Sequence, residues 1–149
     1  MVYRVARLID INARSRLYRE YDKLLIIGRC VEVEHPSVLN EFISKGYYPL
    51  SVCLEAEHPN MVGFKLAGIL ARGDYREVAV LTVDGSLHCT QLHWVVEEVF
   101  KIMGLDEKLE RRHYVVYKGV LREVSKKTVK TSRYLYKVEH ILLALQSER

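Results

Sequence analysis

Residues 23–33 (KLLIIGRCVEV) open on a continuous apolar run, the pattern of a strand covered on both faces. His35-Pro36 then punctuates the chain. Proline suits the first turn of a helix, and the helix it predicts runs to Lys45, with Gly46 as a left-handed cap. The same rhythm follows twice more. Residues 48–56 (YPLSVCLEA) read as a second strand, and His58-Pro59 opens a helix to Arg72 that ends at Gly73. Residues 77–83 (EVAVLTV) read as a third strand, and the turn Asp84-Gly85-Ser86 leads into a helix over about 89–103, stopped by Gly104.

Beyond Arg112 the rhythm changes. Residues 113–117 (HYVVY) read as a fourth strand, Lys118-Gly119 as a tight turn and 120–124 (VLREV) as a returning strand. Ser125 can cap one long final helix to about Gln146, with Val129, Leu135, Val138, Ile141, Leu142 and Leu145 near helical spacing. Residues 1–22 fit a helix or an edge strand equally. The expectation is therefore a single α/β domain of Rossmann-like, three-layer form. It has a parallel sheet of three to four strands with right-handed crossovers and helices on both faces. Residues 1–22 are an N-terminal extension, 23–107 hold three strand-helix units, and 108–149 a hairpin with a basic C-terminal helix.

Two of these units share a segment. Cys30-Val31-Glu32-Val33-Glu34-His35-Pro36 matches Cys53-Leu54-Glu55-Ala56-Glu57-His58-Pro59 at five of seven positions, 23 residues apart. Four of the five identities are Cys, Glu or His. Each copy falls where a strand gives way to a helix, the edge at which open α/β sheets bind ligands. On neighbouring strands the copies would lie about 5 Å apart. Within an extended chain, Cys, Glu and Glu at alternate positions would share a face. Carboxylates clustered this way need a metal ion, another cation or protonation to offset their repulsion.

The third unit adds Asp84 at a strand end, then Ser86, His88, Cys89 and His93 around a helix start. A helix N-terminus favours thiolate, which marks Cys89 as a candidate nucleophile. The plainer readings stand beside these. Cys30 and Cys53 equally suit small core hydrophobes. His35 and His58 equally suit helix entry, with Glu34 and Glu57 complementing the helix dipole. His113 and His140 read as structural or surface residues.

Composition narrows the setting. Three cysteines at wide spacing make no disulfide framework, and no run approaches the roughly 20 apolar residues of a membrane span. The N-terminus lacks the apolar region of a signal peptide, so a cytoplasmic protein with no membrane partner is expected. Charged residues make up 28% and amide side chains are few, the balance of thermophile proteins. The net charge of +4 is uneven: residues 24–107 carry twelve acidic and six basic side chains, residues 108–137 two and ten. There is no G-x-G-x-x-G after the first strand, no Walker A lysine loop, no C-x-x-C and no ferredoxin cysteine pattern.

Gly28-Arg29-Cys30 with Glu34-His35-Pro36, the second copy at 53–59, Val83-Asp84-Gly85-Ser86-Leu87-His88-Cys89 with Gln91-Leu92-His93, and Thr131-Ser132-Arg133-Tyr134-Leu135 carry a resemblance. Together they resemble an uncharacterised archaeal α/β protein family, some of whose members are loosely labelled ferredoxin-like iron–sulfur proteins. The resemblance spans residue 24 to the final helix and implies an archaeal source.

Three functions compete. The first is a metal or iron–sulfur site, open to a redox link. Cys30, Cys53, Cys89, His35 and His58 are its ligands, zinc or an iron–sulfur cluster its cofactor, and Glu34, Glu57 and Ser86 line it for substrate or cation. The second is a thiol-dependent enzyme with Cys89 as nucleophile, His88 or His93 as base and Asp84 assisting. The third is an anion or nucleic-acid binding module on the basic tail, using Arg122, Lys126, Lys127, Lys130 and Arg133 with Arg111, Arg112, Lys118 and Lys137. The partner expected is a small molecule or an anionic ligand, and self-association as a homo-oligomer is left open.

Overall fold

The structure is a computed structural model, and it describes residues 2–147 of the 149. A 3₁₀ turn at Leu8–Asp10 and a short helix α1 (Arg16–Arg19) precede the sheet. Residues 2–22 are thus neither one helix nor an edge strand. They meet the sheet at a parallel bridge, Arg7 with Ser51, and where the Tyr21 ring lies 5.0 Å from that of Tyr48.

Strands β1 (Lys23–Gly28), β2 (Tyr47–Val52), β3 (Glu77–Val83), β4 (Glu110–Tyr117) and β5 (Val120–Val124) form one sheet in the order β2-β1-β3-β4-β5. The first four are parallel and β5 returns antiparallel on β4. The hairpin therefore extends the main sheet, which has five strands. Lys118 and Gly119 both take positive φ in its two-residue turn.

Alternate residues of β1 feed two cores. Leu24 and Ile26 meet Leu66 and Ile69 of α4 (Pro59–Arg72) and Leu92, Val96 and Phe100 of α5 (Leu87–Met103). Leu25 and Ile27 meet Val38, Leu39 and Phe42 of α3 (Pro36–Ser44) on the other face. All four β1 residues are fully buried, which is why the sequence reads as unbroken apolar there. This is the expected three-layer Rossmann-like α/β arrangement.

Two local expectations fail. Residues 29–34 do not extend the first strand, because Cys30 starts a helical turn, α2 (Val31–Glu34), whose Glu34 N–H donates to the Cys30 carbonyl. The predicted long final helix is two: α6 (Lys126–Thr131) and α7 (Leu135–Ser147). The break sits where Ser132 Oγ accepts from Trp94 Nε1 at 3.0 Å and donates to the Val129 carbonyl. Among the described residues no helix is long and apolar enough to cross a membrane.

Candidate functional site

The order β2-β1-β3 places a reversal of strand order between the parallel strands β1 and β3, the crevice where such sheets bind ligands. Both copies of the repeated segment reach it, and both are turns. In the second, Ala56 and Glu57 donate to the Cys53 carbonyl, so the chain folds back after β2. The expectation that Cys, Glu and Glu share an extended face is therefore corrected. A turn brings the second glutamate over its own cysteine instead.

The glutamates then part company. Glu57 is buried and accepts from Arg29 Nη2 at 2.8 Å and from the Cys53 N–H at 3.3 Å. Arg7 Nε stands 3.9 Å away. Glu32 accepts from the backbone N–H groups of Arg4 and Val5. Glu34 and Glu55 are exposed. Arginine and backbone donors thus provide the compensation that the sequence required. Sequence reasoning gave Arg29 no role, although a lone arginine directly before the first acidic segment was a signal for it.

The cysteines converge. A cavity of about 60 Å³ is lined by Cys30, Cys53 and Cys89, together with Gly28, Arg29, Ser86 and His88. Cys89 Sγ rests against the β1 backbone, where a Cβ on Gly28 would meet it at 3.3 Å. Ser86 caps α5, its Oγ accepting from the Cys89 N–H at 3.4 Å. All three thiols are free, with Cys30 exposed and the other two half-buried.

Burial pushes the Cys89 thiol up, with Cys53 and Glu34 adding to the rise and the Ser86 hydroxyl opposing it. Burial also raises Cys30, reinforced by Glu34, Cys89 and Cys53. Cys30 and Cys89 are therefore both held toward the protonated thiol, and the helix N-terminus does not leave Cys89 a ready thiolate. Among the described residues no three His, Cys, Asp or Glu side chains already stand in a metal-holding arrangement.

The histidines divide. His88 lines the thiol cavity. His58 caps α4, its Nδ1 accepting from the Asn60 N–H at 3.1 Å, and His35 stands between α2 and α3; neither lines the cavity. His93 turns away from it. Its Nε2 meets Thr82 Oγ1 at 2.9 Å and its Nδ1 meets His113 Nδ1 at 2.8 Å. With both ring nitrogens engaged, His93 cannot serve Cys89 as a base. Asp84 is exposed at the end of β3 and lines a different cavity, with Thr82 and His93.

His93 belongs to a buried polar chain. His113 Nε2 reaches Glu97 Oε2 at 2.8 Å, and the Arg111 guanidinium holds the same oxygen while also pairing with Asp106. Burial, with His113 next in weight, lowers His93 to about 3. Glu97 is lowered to about 2: burial alone would raise it, but the bonds from His113 and Arg111 prevail. Glu97 Oε1 is buried with no hydrogen-bond partner, an arrangement that costs about 1–3 kcal/mol. His93 and Glu97 share a face of α5, and Arg111 and His113 share a face of β4.

On the basic tail, Arg122, Lys126, Lys127, Lys130 and Arg133 are all exposed. Arg133 pairs with Glu98 at 3.3 Å, and Lys130 lies 3.8 Å from Glu97.

A protein-family model described as a Rossmann-like domain matches residues 17–147. The chain belongs to that Rossmann-like domain family. No curated protein and no solved structure matched it. In this Rossmann-like domain β1 is followed by Gly28-Arg29-Cys30 and a four-residue helical turn. That junction carries neither the glycine loop nor the long first helix that cradle a dinucleotide pyrophosphate.

Proposed function

We propose that this Rossmann-like domain takes up a single soft metal ion, with Cys30, Cys53 and Cys89 as its sulfur ligands. The observation behind this is the convergence of three thiols, from three separate strand-to-helix junctions, on one cavity of about 60 Å³. A cavity of that size has room for an ion and is far below the roughly 300–1,000 Å³ of small-molecule pockets. Burial, with the neighbouring Glu34, favours the protonated thiol at Cys30 and Cys89; a metal cation reverses that balance and ionises its ligands outright. His88 and Glu55, which line the cavity, and Glu34, which acts on both Cys30 and Cys89, are further candidate donors.

Binding forms the ligating geometry: Cys30 is exposed at the start of α2 and can swing toward the other two sulfurs. Zinc, or iron in the redox-linked form, fits sulfur-rich sites. The competing reading, Cys89 as an enzyme nucleophile, has less support. Its thiol is raised, and His93 is engaged elsewhere.

The test is a zinc titration of reduced protein against a chromophoric chelator. One zinc per chain is expected. Each of Cys30→Ser, Cys53→Ser and Cys89→Ser should weaken binding about 100-fold, a share of the binding energy typical for one ligand of a structural zinc. Equal affinity in the triple serine variant would overturn the reading.

A further inference from the structure

A further cavity, of about 370 Å³, opens between α5, α6, α7 and the start of β4. It is separate from the thiols, since Glu97 lies about 12 Å along α5 from Cys89. Its volume falls within the range of small-molecule sites.

Glu97 lines this cavity. Its side chain is only 4% exposed, and its two oxygens differ. Oε2 is held by His113 and Arg111, whereas Oε1 has no hydrogen-bond donor among the described residues. Lys130 Nζ, at 3.8 Å, stands beyond hydrogen-bonding reach. A buried carboxylate oxygen of this kind calls for a donor from outside the chain.

The remaining walls are basic. Lys101 comes from α5, Lys130 from α6 and Lys137 from α7. The break at Ser132 is what sets Lys130 and Lys137 on different helices facing one space. Arg111 and Arg133 are already paired with carboxylates, and Lys137 lies 4.4 Å over the Tyr134 ring. Five cationic and three anionic side chains line the cavity, a surplus of two positive charges. That surplus matches one phosphate dianion.

We propose that this cavity binds a small phosphomonoester that also carries a hydroxyl or amino group. The phosphate lies among Lys101, Lys130 and Lys137, and the hydroxyl or amino group donates to Glu97 Oε1. Lysine ammoniums, with three rotatable donors each, suit a phosphate approached from several helices. Glu97 supplies selectivity, because a phosphate ester without a donor leaves Oε1 unpaired.

Glycerol 3-phosphate, methyl phosphate and glycerol serve as probes, with binding to the full chain followed by calorimetry and by amide chemical shifts. Glycerol 3-phosphate should bind about tenfold more tightly than methyl phosphate, the effect of one hydrogen bond to a charged group. Glycerol should not bind. Lys130→Ala with Lys137→Ala alters only exposed side chains and should weaken glycerol 3-phosphate at least tenfold, with shift changes confined to α5–α7. Glu97→Gln, where it folds, should bring the two esters to equal affinity. No binding at about 10 mM glycerol 3-phosphate, a free energy too weak for a built site, would overturn the proposal. So would equal affinity of the two esters for the wild-type chain, or binding unchanged in the double lysine variant.

Discussion

The Nδ1 atoms of His93 and His113 stand 2.8 Å apart in the interior, between α5 and β4. Only one of them can carry the shared proton. Glu97 Oε2 is an acceptor, so His113 donates to it from Nε2 and receives at Nδ1 from His93. His93 Nε2 then accepts from the Thr82 hydroxyl. A chain of donors running one way, from Thr82 to Glu97, fixes the tautomer of each ring and ties β3, α5 and β4 together.

Acid should loosen that chain before it reaches ordinary carboxylates. His93 is held at about 3 when folded, against 6.5 in the unfolded chain. Between those values the unfolded state binds a proton that the folded state does not. Its stabilising effect is thus complete above pH 6.5 and is lost as pH falls toward 3, at up to about 1.4 kcal/mol per pH unit. Glu97, lowered to about 2 from 4.5, continues the loss at lower pH. Urea unfolding at pH 7.5, 6 and 5 should show falling stability, and His93→Gln should flatten the slope above pH 4.5. A wild-type stability constant from pH 7.5 to 5 would refute this.

Glu97→Gln should be among the most damaging single changes. It leaves the Arg111 guanidinium, 4% exposed, with Asp106 alone. Breaking a buried pair from one side costs about 3–5 kcal/mol. Glu98→Gln breaks only the half-exposed pair with Arg133 and should cost under about 1 kcal/mol. Similar midpoints for the two variants in urea would contradict the buried network.

Ser86→Ala removes the α5 cap and should cost about 1 kcal/mol. The same hydroxyl holds the Cys89 thiol down, so its loss should move Cys89 further up. Alkylation rate against pH, read at Cys89 by mass spectrometry, should shift to higher pH in the variant. An unchanged profile would separate Ser86 from the thiol.

Gly28→Ala tests how closely β1 and Cys89 fit. The added Cβ would meet Cys89 Sγ at 3.3 Å, so the sulfur must shift by a few tenths of an ångström. A side-chain terminus can move, and the stability cost should be about 1 kcal/mol. Zinc affinity should fall far more than stability does. Undiminished affinity would mean that Cys89 does not ligate.

The layers and most strands were legible because burial on both faces leaves a continuous apolar signature: residues 77–83 match β3 end to end. The turn at Cys30 was not. Over four residues, valines alternating with glutamates fit a strand as well as a single helical turn, and bonds such as that from Glu34 N–H to the Cys30 carbonyl decide between them. The helix break at Ser132 depends on Trp94, a tertiary partner with no local trace. The cavity edge was legible from the repeated segment and Cys89. The His93–His113 pair was not, because it depends on the register of β4 against β3, where His113 stands beside Val80.

Cobalt(II) titration of the reduced chain tests most directly whether Cys30, Cys53 and Cys89 act together. A sulfur-to-cobalt charge-transfer band should grow to saturation at one equivalent and weaken stepwise as each cysteine becomes serine. No such band, or one that survives in the triple serine variant, would contradict a shared thiol site.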